Sequence, residues 1–299
     1  QMYKLIEYHS CDVFLTFSHY LPIKKISIPT IVGVSNLAPF SKIALSEENY
    51  YYKLKFWILG KTILSSVIKA DLVLALSLTA KDLMMKLGIN ENKIFLNPIG
   101  VDSFWSSISQ NDDLLKTFSG NKKYFLYVSH FYRYKNHFRL ISAYANLPLG
   151  IQNKHNLILI GKPMNLSYFN KIKKTISDLS LEKNILLIPG LPREDLRMFY
   201  QNCSLFIFPS LVENCPNILL EAMASGAPIS TVNINPMKEY CLDSAIYFDG
   251  TRISSIKNSM IEFTEIDDSV NMKKLSLIRS KSFSWDTFVD NIIHRINNL

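Results

Sequence analysis

The segment from Cys203 to Val232 limits the possible folds more than any other part of the sequence, because it reads as strand, loop, helix and strand in succession. Leu205–Phe208 is a short apolar run bounded by turn residues, which is typical of a strand buried on both faces. Pro216 is expected as a first helical residue, Asn214 as its cap, and Gly226 as the helix end. Such a unit predicts a parallel sheet with a helix start, where anions bind, at its carboxyl edge.

The same alternation of short apolar runs and helical patterns continues along the chain, with helices expected at Glu47–Lys69 and Arg193–Gln201. Strands spaced by helices predict parallel β-α-β units. The predicted fold class is therefore α/β, with two doubly wound parallel sheets. The predicted strands, besides Leu205–Phe208, are Val13–Phe17, Thr30–Val34, Leu72–Ala75, Lys93–Leu96, Tyr124–Ser129, Leu157–Ile160, Ile185–Ile188, Ile229–Val232 and Ala245–Phe248.

A break in this pattern divides the chain into two predicted domains. Asn97–Asp102 contains a proline and a glycine, which interrupt regular structure, and a polar stretch from Ser106 to Asn121 follows it. The predicted domains are residues 1–110 and 111–282, and residues 283–299 are predicted to form a terminal helix.

Composition and charge narrow the class of function. Of the 299 residues, 48% are hydrophobic and 19% are charged, which is typical of a globular protein rather than a disordered one. The net charge of +8 favours anionic partners, namely nucleic acid, an anionic membrane surface or phosphorylated substrates. Nucleic acid ranks last because no nucleic-acid-binding motif is visible. Four scattered cysteines and six histidines without ligand spacing argue against a metal and for a reducing, cytoplasmic compartment.

Two acids lie eight positions apart in the central segment, Glu213 in the loop and Glu221 in the helix. A single glutamate is usually a solvated surface acid, but this pair follows a strand and precedes a Gly/Pro stop. Asn217 and Glu221 also share a helix face at i, i+4. The segment resembles the E-x7-E segment of retaining glycosyltransferases of family four (glycosyl transferases group 1), which have the GT-B fold. Many members read EGFGLPLLEAMA where this chain reads ENCPNILLEAMA.

The resemblance implies a donor site in the second of two Rossmann-like domains that face a cleft. It implies that Glu213 meets the donor sugar and that Glu221 holds the nucleotide ribose. The helix start around Asn214, Pro216 and Asn217 is then expected to face the donor. In members of the family the last helix crosses back to the first domain, and the same is expected of residues 283–299.

The loop Ser129–Asn136 follows a predicted strand and precedes a helix, so its basic residues are expected at the carboxyl edge of the sheet. In the family this loop carries an Arg and a Lys, five residues apart, that neutralise the departing diphosphate. Lys135 matches the Lys and is expected to be catalytic, whereas His130 occupies the Arg position and can still donate to phosphate. Arg133 either compensates for that change or is an ordinary loop cation.

Glycines follow two further predicted strands, at Gly161 and Gly190. A lone glycine at a strand end usually marks only a turn. By resemblance, both occupy positions where the backbone approaches the nucleotide, with Gly190 and Leu191 near the base.

The resemblance is looser in the first domain, which is expected to bind the acceptor. Family members carry a "VHN"-like run after the second strand, and this chain has Ser35 in place of the His, followed by Asn36. His19 either faces the cleft or is an ordinary loop histidine. Members also begin with a strand and a glycine-rich loop that are not matched here, so the first domain is expected to be incomplete.

The stretch Tyr50–Lys69 combines aromatic residues with four lysines and contains no acid. The alternative to an ordinary helix is an amphipathic, basic surface that rests on anionic lipid, at the inner face of the cytoplasmic membrane. The commoner case is the ordinary helix, which packs these residues into a core: Leu54, Trp57, Ile58 and Ile63.

Together the motifs and this resemblance imply a retaining glycosyltransferase, and no metal cofactor is expected. It is expected to move a sugar from a nucleotide-diphosphate sugar to a glycan or lipid-linked acceptor, in the synthesis of bacterial surface polysaccharide. Two alternatives remain open at this point. A sugar-nucleotide 2-epimerase of the same fold would isomerise free donor without acceptor, and a non-catalytic donor-binding remnant would bind nucleotide without turnover.

Overall fold

The structure is a computed structural model that describes residues 2–18, 20–22, 24, 26–108, 117–118, 120, 122–266 and 269–298. By its contacts the chain divides into two compact units. The first unit consists of Gln1–Gly100, Val212–Cys215 and Phe283–Leu299, and the second of Val101–Leu211 and Pro216–Ser282. Each unit contains one parallel sheet with its own hydrophobic core.

The elements alternate between strand and helix through most of the described chain. The strands are β1 (Phe14–Thr16), β2 (Thr30–Val34), β3 (Leu72–Ala75), β4 (Ile94–Leu96), β5 (Lys123–Val128), β6 (His155–Ile160), β7 (Ile185–Ile188), β8 (Leu205–Phe208), β9 (Ile229–Val232) and β10 (Ala245–Phe248). The helices are α1 (Met2–Tyr8), α2 (Lys42–Glu47), α3 (Tyr50–Lys69), α4 (Leu78–Lys86), α5 (His137–Ala145), α6 (Leu149–Lys154), α7 (Leu166–Asp178), α8 (Arg193–Asn202), α9 (Asn217–Ala224), α10 (Met237–Cys241), α11 (Ile253–Glu265), α12 (Ser269–Ser280) and α13 (Trp285–Ile296). Short 3-10 turns lie at Ala38–Phe40, Glu91–Lys93, Ser103–Ser106, Arg133–Lys135 and Leu242–Ser244.

The first unit is built on a four-stranded parallel sheet in the order β1-β2-β3-β4. Every residue of β2 and β3 is buried, as expected of parallel strands with helices on both faces. Ile63 and Val67 of α3 pack into this core. The terminal helix α13 belongs to the same unit, and the Asn97 side chain donates a hydrogen bond of 2.9 Å to the Phe288 carbonyl.

Helix α3 begins at Tyr50, three residues after the start of the predicted helix Glu47–Lys69, so the prediction was wrong at its start. Glu48 has an extended backbone, with ψ at 154°, which ends α2. Asn49 then caps α3, because its side-chain oxygen accepts from the Tyr52 N–H at 3.1 Å. The capping preference of Asn49 therefore sets the helix boundary more strongly than the helical pattern around it.

The second unit is built on a six-stranded parallel sheet in the order β10-β9-β8-β5-β6-β7. The chain adds β6 and β7 on one side of β5 and then returns to add β8 on the other. The strand order therefore reverses between β5 and β8, and in such sheets ligands bind outside the carboxyl ends of the strands at this reversal.

The strand-helix-strand unit from β8 to β9 is confirmed, with one correction at the start of its helix. Gly226 ends α9 in a left-handed conformation, at φ +74°, and its N–H bonds the Met223 carbonyl while Ala227 bonds Ala222. The cap predicted at Asn214 is wrong, because Pro216, which was predicted as the first helical residue, stands at the cap position and Asn217 begins the helix. The α/β fold class with two parallel sheets is confirmed.

Candidate active site

A cavity of ≈ 340 Å³ opens at the carboxyl edge of the second unit's sheet. It is lined by the loops after β5, β6 and β7 and by one side chain each from α8 and α9. Four of the predicted donor-site residues line it: His130, Gly161, Gly190 and Leu191. Its other lining residues are Val128, Ser129, Ile160, Lys162, Pro189, Leu196 and Ile218.

Two glycines shape this cavity through their backbones. A Cβ at Gly161 would lie 1.9 Å from the Ser129 carbonyl oxygen, so only glycine allows the loops after β5 and β6 to cross this closely. Gly190 has φ at +135°, a conformation that glycine adopts at little cost. Both positions therefore do more than mark turns, because they bring backbone to the wall of the cavity.

His130 is held as a neutral donor at the edge of the cavity. Its Nδ1 accepts a hydrogen bond of 3.3 Å from the Lys162 backbone N–H, so the proton of the neutral ring lies on Nε2. Partial burial lowers the pKa of His130, and the positive charges of Lys135 and Lys162 lower it further. At neutral pH the ring therefore offers an N–H rather than a full positive charge.

Lys135 lies at the end of the turn Arg133–Lys135 and is half-buried. The Tyr127 hydroxyl donates to the Lys135 carbonyl at 2.8 Å, and the ammonium lies 5.5 Å from the centre of the Tyr134 ring. The Leu211 N–H donates to the Tyr134 carbonyl at 3.0 Å, which joins the loop after β8 to this turn. Lys135 is thus fixed on the side of the sheet where the strand order reverses.

Asn136 anchors the same turn from behind. It is 1% exposed and has a left-handed backbone, with φ at +66°. Its side-chain nitrogen donates to the carbonyls of Pro209, at 3.0 Å, and Gly250, at 2.8 Å, while its oxygen accepts from Arg139. One amide therefore ties the Lys135 turn to the loops after β8 and β10.

Arg133 is half-buried, with its guanidinium carbon 5.6 Å from the centre of the Tyr168 ring. This contact places the Arg133 side chain against α7.

His137 lies beneath the loop Ser129–Asn136, stacked on Phe131 with 4.4 Å between the ring centres, and burial lowers the pKa of His137 to about 3. His137 is therefore neutral and part of the supporting core.

Glu221 lies on α9, one turn after the cavity residue Ile218. The Tyr200 hydroxyl donates to its carboxylate at 3.4 Å. Burial raises the pKa of Glu221 from 4.5 to about 7, against the lowering effect of that bond and of the Arg193 charge. The carboxyl group is thus half ionised near neutral pH, which is unusual for a glutamate.

The start of α9 is open towards an anion. Pro216 is buried at the cap position, Asn217 is exposed as the first helical residue, and no side chain caps the helix. The first N–H groups of a helix have no partner within it and carry the positive end of the helix dipole. In α9 the N–H groups of Leu219 and Leu220 donate to the Pro216 carbonyl at 2.9 and 3.0 Å, so this end offers the helix dipole and the N–H groups of Asn217 and Ile218.

Glu213 and Asn214 belong by contacts to the first unit. Asn214 is buried, and its side chain donates to the Val34 carbonyl and accepts from the Ser77 hydroxyl at 3.0 Å. The Asn214 amide therefore links the carboxyl ends of β2 and β3. The predicted contact of Asn214 with the donor stays a prediction. Glu213 is half-buried beside it.

Two of the predicted acceptor residues, Ser35 and Asn36, directly follow β2 at the carboxyl edge of the first unit's sheet. The exposed Ser35 hydroxyl is 3.5 Å from the Phe17 carbonyl to which it donates, and the Asn36 side chain accepts from the Ala38 N–H at 3.0 Å. His19 lies outside the described residues. The roles of Ser35, Asn36 and His19 stay predictions.

Sequence reasoning assigned no donor-site role to seven cavity residues, among them Lys162, Leu196 and Ile218. Lys162 lies two residues after the predicted strand Leu157–Ile160, and a basic residue in a loop after a strand was part of the signal for Lys135, so it could have been found. Leu196 and Ile218 carry only a helical apolar pattern, which is equally consistent with the core. Within the described residues, no group of three or more His, Cys, Asp or Glu side chains is arranged to hold a metal ion.

The chain has the GT-B architecture of several solved structures. It is similar to sucrose-phosphate synthase from Thermosynechococcus elongatus, at 15% identity and a TM-score of 0.76, over 92% of this chain and 68% of that one. It is also similar to WaaG, a glycosyltransferase involved in lipopolysaccharide biosynthesis, at 15% identity and a TM-score of 0.75, over 98% and 80%. The Anabaena protein Alr3699/HepE, solved with UDP and glucose, matches at 18% identity and a TM-score of 0.76, over 91% and 72%.

The family described as Glycosyl transferases group 1 matches residues 110–274, more than half of the chain, and the chain belongs to this family. The O-antigen chain mannosyltransferase RfbU of Salmonella typhimurium is 22% identical over 269 residues, which cover 89% of this chain and 69% of that protein. The serotype-specific mannosyltransferase WbdA of Escherichia coli is 30% identical over 154 residues, half of this chain. That match covers only 19% of the length of WbdA.

Proposed function

We propose that this chain is a retaining glycosyltransferase that moves a hexose from a nucleotide-diphosphate sugar to a glycan or lipid-linked acceptor. The observation that carries the proposal is the cavity at the carboxyl ends of β5, β6 and β7, where His130 and Lys162 lie with Ile218 of α9, one turn before Glu221. Donors for a diphosphate and a carboxylate for ribose hydroxyls are the groups that a nucleotide sugar requires.

Each group of the site has a proposed role on the donor. Lys135, Lys162 and the N–H of His130 stabilise the diphosphate. Glu221 accepts from the ribose hydroxyls in its ionised form. The backbone at Gly190 and Leu191 contacts the base.

The reaction exchanges one bond at the anomeric carbon for another. The bond to the diphosphate oxygen breaks and a bond to the acceptor oxygen forms on the same face, while the acceptor proton passes to the leaving diphosphate. The chain supplies electrostatic stabilisation of the developing negative charge, through Lys135 and the start of α9. Glu213 is proposed to orient the donor sugar.

The relatives guide the choice of substrates. RfbU and WbdA are described as mannosyltransferases, and RfbU as acting on the O-antigen chain, so mannose is the first hexose to test and a lipid-linked surface polysaccharide the first acceptor. We place the reaction at the inner face of the cytoplasmic membrane. Among the described residues, no helix is long and apolar enough to span a bilayer.

The test is a turnover assay with labelled nucleotide sugar and a bacterial membrane extract as acceptor. Lys135→Ala and Glu221→Ala are each expected to reduce transfer by at least about 100-fold, since each removes a charged contact of the transition state or the donor. Lys174→Ala and Glu262→Ala make the same changes at exposed positions on α7 and α11, and they are expected to retain activity.

Three outcomes would contradict the proposal. Near-native transfer by both site variants would show that the site is assigned wrongly. Isomerisation of the free donor without acceptor would indicate a 2-epimerase. Nucleotide binding without any turnover, with donors of several bases and sugars, would indicate a donor-binding remnant.

A further inference from the structure

Helix α3 is apolar on two opposite sides. Its inner side packs into the core of the first unit through Phe56, Gly60, Ile63 and Val67. A helix at the surface of a globular unit normally turns polar residues to water on the other side. Here the other side is also apolar, and its large side chains are well exposed: Tyr50 by 85%, Leu54 by 50%, Trp57 by 60%, Ile58 by 52% and Ile68 by 57%.

These exposed residues lie along one side of the helix, which we call the outer face of α3. Positions 50, 54, 57, 58, 61 and 68 fall on the same side of the helix at 3.6 residues per turn. The apolar part of the outer face runs from Tyr50 to Ile58, over about 12 Å of the helix. The exposed Lys61 and Ser65 separate it from Ile68 on the same side.

The charged residues of α3 itself are all lysines. Lys61 lies within the stripe, with its ammonium 5.9 Å from the centre of the Trp57 ring, and Lys53 and Lys55 flank it on either side. Helix α3 contains no Asp or Glu between Tyr50 and Lys69. An apolar strip with aromatic residues and a lysine border fits a surface that is apolar inside and negatively charged outside.

We propose that the outer face of α3 docks on a bilayer that contains anionic lipids. The helix lies in the plane of the interface, with Leu54, Trp57 and Ile58 among the acyl chains and Tyr50 at the headgroups. The lysines extend along the apolar surface and place their ammonium groups at the lipid phosphates.

The same charges argue against a second copy of the chain as the occupant. A two-fold contact brings identical surfaces together, so the lysines of one outer face would oppose those of the other. No acid of α3 is present to pair with them. Self-association through this face would therefore bury like charges at a cost, whereas anionic lipid neutralises them.

The outer face is also placed to serve the proposed acceptor site. Gly60, near the middle of α3, lies against Pro39, which follows the carboxyl end of β2. The helix ends beside the amino end of β2, where Asp71 accepts from the Thr30 N–H at 2.8 Å. Residues 50–59 therefore extend past the carboxyl edge of the first sheet, on the side of Ser35 and Asn36. The link between the outer face and the acceptor site rests on the proposed transfer to a lipid-linked acceptor, whereas the docking on lipid does not.

The test is co-sedimentation of the full chain with vesicles of phosphatidylglycerol and phosphatidylethanolamine, compared with neutral phosphatidylcholine vesicles. The wild type is expected to bind the anionic vesicles and to lose binding as salt rises. Replacing Lys53, Lys55 and Lys61 by Gln together is expected to weaken binding on the order of 100-fold. Leu54→Ala combined with Trp57→Ala is expected to weaken it by at least about tenfold.

The controls make matched changes on α7 of the second unit. Lys171, Lys173 and Lys174 are exposed there, and their joint replacement by Gln removes the same charge. Leu166→Ala shortens a side chain that is 65% exposed. Both controls are expected to bind vesicles like the wild type.

Two further measurements separate docking from other causes. Wild-type tryptophan emission is expected to shift to the blue on vesicle addition, and Trp57→Phe is expected to remove most of that shift while it still sediments. The α3 variants are expected to bind UDP or GDP with the affinity of the wild type. If the wild type binds neither nucleotide, that result counts against the proposed function and not against the docking. Equal weakening by the α7 controls, equal binding to neutral vesicles, or dimerisation without vesicle binding would overturn the docking proposal.

Discussion

At the scale of single residues, Glu221 shows how the fold adjusts the chemistry of one group. The pKa of its carboxyl group is raised by burial from 4.5 to about 7, so ionisation takes place across the neutral range. Only the ionised form accepts from two ribose hydroxyls. Affinity for UDP or GDP is therefore expected to rise about tenfold between about pH 6 and pH 8. Calorimetric titration at several pH values in this range measures the affinity. Glu221→Gln is expected to show no rise from this carboxyl group. An equal rise in both proteins would show that the nucleotide phosphates, and not Glu221, cause the pH dependence.

The same shift predicts a stability cost for the protein without ligand. The pKa of Glu221 is higher in the folded state than in the unfolded state, so the folded state binds the proton more tightly. Its contribution to the free energy of unfolding is present below about pH 4.5 and is lost as the pH rises through about 7. Glu221→Gln is therefore expected to be more stable than wild type above neutral pH and to gain nothing at low pH. Urea unfolding at several pH values tests this, and an unchanged difference at all pH values would contradict it.

At the scale of elements, the turn that carries Lys135 depends on Asn136. The left-handed backbone favours Asn or Gly over Ala by about 1 kcal/mol, and loss of the side chain leaves the buried Pro209 and Gly250 carbonyls without this donor. Asn136→Ala is expected to lower the free energy of unfolding by about 2–4 kcal/mol, and Asn136→Gly by about 1 kcal/mol less because it removes only the amide. Urea unfolding measures both. Equal losses in the two variants would show that the backbone conformation is not the reason for Asn at this position.

The elements also show which parts of the fold can be predicted from sequence. Strands such as β3 and β8, buried over their whole length, appear as continuous apolar runs, so their positions were confirmed. The prediction for helix α3 was wrong in two respects. The Asn49 cap sets its start, and three of its four expected core residues are exposed. A helical apolar pattern does not show which of two apolar sides faces the core. Sequence therefore predicts strands of a parallel sheet better than the orientation of a helix that is apolar on both sides.

At the scale of the whole molecule, the residues of the donor site that can be predicted from sequence are those that follow the end of a strand. His130, Gly161, Gly190 and Leu191 each follow a strand, and the parallel topology brings them to one cavity. The contact between Tyr200 and Glu221 has no such signal, because it joins two helices through the packing of α8 against α9. Long-range packing of this kind is what the local pattern of residues does not contain.

The charge balance of the whole chain gives the last prediction. The chain carries a net charge of +8. In the proposed site, Lys135, Lys162 and the start of α9 neutralise the diphosphate. Binding of UDP or GDP is therefore expected to be unchanged by EDTA and to weaken as salt rises from about 0.05 to about 0.5 M, because salt screens exposed charges. Lys162→Gln is expected to reduce both the affinity and its salt dependence, while Lys174→Gln leaves both unchanged. Loss of binding in EDTA that is restored by added Mg²⁺ or Mn²⁺ would show that a cation completes the site and would overturn this assignment.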